Sequence, residues 1–139
     1  MRIGLHRTPR WQRAAAPAQG ALEEAAQQLA AAGAVVQDCE LGPGFELLYE
    51  TQGVIMLYEA ARATAWETRA QRKLLSVEFA ERMDRGMAIS HSEYQAAQAQ
   101  AELCRQRFAG ELAGLDVLLT PSATGEAPLG LNTTGDALF

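Results

Sequence analysis

An apolar run, Arg2-Ile3-Gly4-Leu5-His6, is followed by an alanine-rich amphipathic stretch and then by a second apolar run, Ala34-Val35-Val36. Few folds accommodate that order. Strand, helix and strand within about 35 residues have the span of a parallel crossover unit, which is right-handed almost without exception. Thr8-Pro9 ends the first strand, because proline restricts the residue before it and has no N–H for a ladder. Arg10 to Ala16 reads as a polar loop, and Pro17 suits the first turn of a helix. Leu22, Ala25, Ala26, Leu29 and Ala32 then recur at helical spacing, and Gly33 can take the left-handed cap after them.

The middle of the chain is helical. Gly42-Pro43-Gly44 breaks the pattern, and Phe45 to about Arg72 resumes it, with Leu48, Ile55, Tyr58, Arg62 and Trp66 approximating one face. Gly53 within that stretch reads as a bend or a close helix contact. Ser76 is placed to cap a short helix carrying Val77, Phe79, Ala80 and Met83, with Gly86 expected to end it. Ser90 and Glu93 have the spacing of a capping box. The next helix is expected to run to about Ala113, with Tyr94, Ala97, Ala101, Cys104, Phe108 and Leu112 as its stripe.

Leu115 to Pro128, LDVLLTPSATGEAP, supplies the third strand at Val117–Leu119 and delivers a small polar loop after it. Asn132-Thr133-Thr134-Gly135 reads as a turn. The fold class is therefore α/β, with three short, mainly parallel strands and long helices, taken as one domain over residues 1–139. The expected strand order is 2-1-3. The switch point then falls between the ends of the first and third strands, where His6, Arg7, Thr8, Thr120, Pro121 and Ser122 would face one crevice.

Composition excludes several functions. A net charge of −5 gives no footprint for nucleic acid, and the cluster Arg2, Arg7, Arg10 and Arg13 reads as solvated surface. Cys39 and Cys104 are too few and too far apart for a secreted disulfide framework, and read as quiet, partly buried thiols. No run is long and apolar enough to span a membrane, and no signal peptide is evident, so a cytoplasmic location is expected. No metal-ligand spacing, phosphate-binding glycine loop or serine elbow occurs. No metal and no cofactor are expected. His6 is the natural acid–base candidate, though nothing in the sequence supplies it with an orienting carboxylate. Ser122 is the one serine placed where a substrate could lie, and it too lacks a base beside it. The aromatic residues Trp11, Trp66, Tyr49, Tyr58 and Tyr94 read as core or groove rather than as stacking platforms.

RIGLHRTPRW, the helix ALEEAAQQLAAAGA and the later LDVLLTPSATGEAP, in this order and spacing, resemble the C-terminal part of amidase signature enzymes. The likeness covers essentially the whole chain. It implies a partial α/β/α fold of that family and a parent reaction of amide-bond hydrolysis or transfer. It also implies a Ser–cis-Ser–Lys triad with a backbone oxyanion hole. No triad residue can be placed here, because the one lysine, Lys73, has no Gly- and Ser-rich segment around it. The resemblance therefore carries over no catalytic residue. It carries over Thr120, Pro121 and Ser122 as pocket-lining, substrate-binding positions. The chain is expected to be a C-terminal piece of an amidase that is inactive alone. Its expected partners are a small amide substrate in the full enzyme and a second copy of itself, met through exposed apolar surface. The alternatives are a self-contained small α/β module binding an anion near Arg7, and a helical interaction protein.

Overall fold

The computed structural model describes residues 1–130 and Gly135. The turn expected at Asn132-Thr133-Thr134 lies outside the described residues. The chain forms two compact units, Met1–Glu46 with the described residues from Arg107 onward, and Leu47–Gln106.

The first unit holds the sheet. Strand β1 (Arg2–Leu5) is followed by helix α1 (Ala16–Ala31) and strand β2 (Val35–Asp38), and strand β3 (Val117–Leu119) comes last. The order is β2-β1-β3 and both pairings are parallel, as the sequence led us to expect. Leu5 pairs with Asp38 on one side and Leu119 on the other. β1 is central because its side chains can be buried: Ile3 is 1% and Leu5 4% exposed. Three adjacent parallel strands remove the helical interaction reading.

Gly4 lets the neighbouring layers close on the sheet, since a Cβ there would come within 2.6 Å of the Leu115 side chain and 2.9 Å of the Cys39 Cβ. Helix α1 has Pro17 in its first turn and ends as expected at Gly33, whose φ is +93°. The Ala34 N–H donates to the Leu29 carbonyl and the Gly33 N–H to the Ala30 carbonyl, so two orphan carbonyls are satisfied before the chain enters β2.

The second unit is helical: α2 (Leu48–Ala63), α3 (Ala65–Ala70), a single turn at Arg72–Leu74, α4 (Val77–Ala88) and most of α5 (His91–Glu111). Two expectations change here. The stretch to Arg72 is not one helix. It breaks at Thr64, whose hydroxyl bonds back to the Ala60 carbonyl at 2.8 Å, and Trp66 beyond the break is 65% exposed rather than on a packing face. Gly86 does not end α4 but is buried inside it, against the Leu57 carbonyl and Ala61 of α2. Ala61, Ala80 and Met83 are buried with it. Gly53, by contrast, has nothing near its Cβ direction and sits in an unbroken helix.

Both capping expectations hold. The Ser76 hydroxyl accepts from the Phe79 N–H. Ser90 and Glu93 exchange hydrogen bonds at 3.2 Å (Glu93 N–H to Ser90 Oγ) and 2.8 Å (Ser90 N–H to the Glu93 carboxylate). The Ser90 hydroxyl, at 2.6 Å, and then the Ser90 N–H donate to the Glu93 carboxylate and hold it below its ordinary range. No helix among the described residues is long and apolar enough to cross a membrane.

Candidate functional site

The carboxyl ends of the three strands carry the chemistry of the first unit. Ladder bonds continue one step past the strands: the His6 N–H donates to the Leu119 carbonyl, and the Cys39 N–H donates to the Leu5 carbonyl, each at 2.9 Å. His6 therefore emerges between Cys39 and Thr120. Its ring turns to the β2 side, where Nδ1 donates to the Cys39 carbonyl at 2.9 Å. A carbonyl can only accept, so this bond assigns the proton of the neutral imidazole to Nδ1 and leaves Nε2 as an acceptor.

Each nitrogen of the Arg7 guanidinium makes a hydrogen bond. Its Nε and Nη2 donate to the two carboxylate oxygens of Glu23 at 2.6 and 3.0 Å, and its Nη1 donates to Asp38 Oδ1 at 2.6 Å. This fork keeps the Arg7 guanidinium protonated more firmly than usual and holds the Glu23 carboxyl below its ordinary value. Two carboxylates on one cation leave this corner with a negative balance.

Thr8 follows with φ +58°, left-handed backbone that a β-branched residue rarely adopts. Its hydroxyl accepts from the Arg10 N–H and its carbonyl from the Trp11 N–H, and these bonds close the turn. A cavity of about 350 Å³ opens at this end, lined by Leu5, His6, Arg7, Thr8, Pro9, Asp38, Cys39, Glu40 and Leu41. It lies between the ends of β1 and β2. The Cys39 thiol is raised above its ordinary range, by burial first and then by Glu111, so it is no ready nucleophile.

Of the residues expected at the site, His6, Arg7 and Thr8 line this cavity, whereas Thr120, Pro121 and Ser122 are not among its lining residues. Those three follow β3 directly. Thr120 and Ser122 are exposed and Pro121 is half-buried. The loop then crosses to the start of α1, where the Thr124 carbonyl accepts from the Ala15 N–H at 2.6 Å. Ser122 makes no hydrogen bond to a described residue. Asp38 and Glu40 were not singled out from the sequence, because only the β1–β2 register shows that they reach the same edge as His6.

In the second unit Tyr58 and Tyr94 stack with ring centroids 4.1 Å apart, and the Arg62 guanidinium lies 3.3 Å above the Tyr58 ring. These rings are satisfied by one another. Lys73 lies in the exposed turn Arg72–Leu74 of the same unit.

The first unit is thus an α/β scaffold with its cavity outside the carboxyl ends of parallel strands. The family model for Amidase matches residues 1–136, and the chain belongs to that family. Nine chains of solved structures match. One, described as the crystal structure of an amidase, superposes with a TM-score of 0.81 at 26% identity. The match covers 94% of this chain and 30% of that one. No curated protein matches the sequence.

Proposed function

We propose that this chain is the scaffold-and-crevice portion of an amide-bond hydrolase. In this reading the serine that attacks the amide carbonyl, and the lysine that activates it, belong to another part of the enzyme. The 139 residues hold part of the cleft wall, and Thr120, Pro121 and Ser122 line the side where a small amide substrate lies. The chemistry calls for no metal and no cofactor, because a serine nucleophile and backbone N–H donors supply attack and oxyanion stabilisation.

The observation that carries this reading is the unequal coverage: the likeness to an amidase extends over 94% of this chain but 30% of the other. The polar groups agree with it. Ser76 and Ser90 are engaged in helix caps, and Ser122 has no base bonded to it among the described residues. The exposed Trp66, Leu74 and Val77 support self-association through apolar surface. A cytoplasmic location accords with the free Cys39 thiol.

The test is the purified chain with p-nitroacetanilide. The expected result is no p-nitroaniline release above buffer. Steady turnover that is abolished by Ser122→Ala would overturn the reading.

A further inference from the structure

Helix α2 of the second unit buries a polar side chain without a partner. Thr51 is 8% exposed and is the one buried polar residue among those described. The unit's other threonines, Thr64 and Thr68, each bond back to a helix carbonyl at 2.8 Å. The Thr51 hydroxyl makes no hydrogen bond to a described residue. Among the described residues no side-chain oxygen or nitrogen closed off from solvent lacks a partner, so the unbonded Thr51 oxygen reaches open space. The open space that Thr51 borders is a groove of about 670 Å³ along α2. We propose that this groove binds a linear aliphatic alcohol, with the ligand's hydroxyl on Thr51.

A hydroxyl buried without a bond lowers stability, and a valine of the same shape would not. A polar group kept at that cost calls for an explanation, and a ligand that completes its bond supplies one.

The rest of the wall selects the ligand. α2 lines the groove from Leu48 to Ala63, 16 residues spanning about 22 Å, and α5 adds Ala101. The volume is within the range of small-molecule sites. Ile55, Met56, Ala60 and Ala63 give an apolar path onward from Thr51. Met56 is unbranched and adaptable, and so fits itself to an alkyl chain. Beside Thr51, the Gln52 amide also makes no hydrogen bond to a described residue. Hydroxyl and amide each donate and accept, as an alcohol hydroxyl does. The wall carries no cation, so a carboxylate head would find no counter-charge. Its one carboxylate, Glu59, lies about two turns from Thr51 and already accepts from the Tyr94 hydroxyl at 2.6 Å. An ammonium head at Thr51 would lose water without gaining an opposite charge.

This inference rests on the second unit alone, so it and the proposed amide cleavage can fail separately.

The experiment uses the chain with ¹³C-methyl-labelled methionine, followed by NMR. It is titrated separately with 1-octanol, sodium octanoate and n-octylammonium chloride at matched ionic strength. Octanol is expected to shift the Met56 methyl saturably, and the two charged probes are not. Met83 and Met87, on α4 and outside the groove lining, are expected to stay still. Thr51→Val is expected to weaken octanol binding about tenfold, and Thr51→Ser, which keeps the hydroxyl, to retain it. Because it removes an unbonded hydroxyl, Thr51→Val is also expected to raise the urea midpoint of the free chain. The proposal is overturned if Met56 shows no saturation with octanol, or if Met83 and Met87 shift alongside it. It is equally overturned if either charged probe binds as tightly, or if Thr51→Val keeps the parent's affinity. A Thr51→Val variant that is less stable than the parent, or unfolded, would also overturn it, because the hydroxyl would then serve the fold.

Discussion

The backbone of Arg2 is held from both sides by Asp116. Its N–H donates to the Asp116 carboxylate at 2.7 Å, and its carbonyl accepts from the Asp116 N–H at 2.8 Å. The aspartate that opens the third apolar run is therefore a clamp on the sheet, fixing the register of β3 against β1 before their first paired residues, Ile3 and Val117. Asp116→Ala is expected to lower stability by about 1 kcal/mol, the net worth of such a bond at a partly solvated site. Asp116→Asn, which keeps an acceptor oxygen, should recover most of the loss. Urea unfolding of the two variants checks this, and equal midpoints for Ala and Asn would contradict it.

Gly86 makes a close helix contact in the second unit. A Cβ there would overlap the Leu57 carbonyl oxygen and come within 2.7 Å of the Ala61 Cβ. Backbone cannot swing aside as a side-chain tip can, so α4 would have to move off α2. Gly86→Ala is expected to destabilise by about 1–3 kcal/mol despite the ~1 kcal/mol that alanine gains in a helix. Gly53→Ala, with open space around it, should instead stabilise by up to about 1 kcal/mol. Chemical denaturation of the pair gives opposite signs if the packing is as described.

These two glycines show what was legible in the chain and what was not. Strand positions and the caps at Gly33, Ser76 and Ser90 could be read because each is decided within a few residues of sequence, and the strand order followed from the strand–helix–strand span and the right-handed crossover it requires. Gly86 was expected to stop a helix and instead makes a close helix contact, whereas Gly53, expected to mark a bend or a close contact, sits in an unbroken helix with open space around it. The contact that decides this lies 29 positions away, at Leu57, and no local pattern records it. The break at Thr64 was missed for a different reason. A threonine hydroxyl bonding back to its own helix leaves the hydrophobic spacing unchanged. At the candidate site, His6 to Thr8 were found from the strand end. The turn of the His6 ring toward the Cys39 carbonyl, and so the cavity beside β2, needed the parallel register.

Arg7 and Glu23 give stability a pH dependence. Side-chain hydrogen bonds from Arg7 hold the Glu23 carboxyl below its ordinary 4.5. A carboxyl depressed in the folded state contributes stability that is complete above its unfolded value and is lost as pH falls through the folded one. Arg7 is shifted upward and stays charged in both states, so it adds no slope. The pair is more than a third exposed, so its contribution is about 0.5–1 kcal/mol and weakens with salt. Glu23→Gln is expected to flatten the fall of the urea midpoint below about pH 4.5. An unchanged slope would show that the fork stabilises nothing.

Thr8 sits at φ +58°, where asparagine is at ease and β-branched residues are not. Its Oγ1 accepts from the Arg10 N–H, two residues on, a bond that an asparagine side chain can also make. Thr8→Asn is expected to stabilise by about 0.5–1 kcal/mol. Thr8→Val, which keeps the branch and loses the acceptor, should destabilise by about 1–2 kcal/mol. Thermal unfolding should rank Asn above Thr above Val, and a Val variant equal to the parent would refute the account of this turn.

The assignment of cleft wall without nucleophile is tested most directly by asking whether any serine of the chain is activated. The purified protein is incubated with a fluorophosphonate, which phosphonylates activated serines, and its intact mass is recorded. The expected spectrum shows the unmodified chain. A stoichiometric adduct that maps to Ser122 would contradict the account, because it would place a working nucleophile inside these residues.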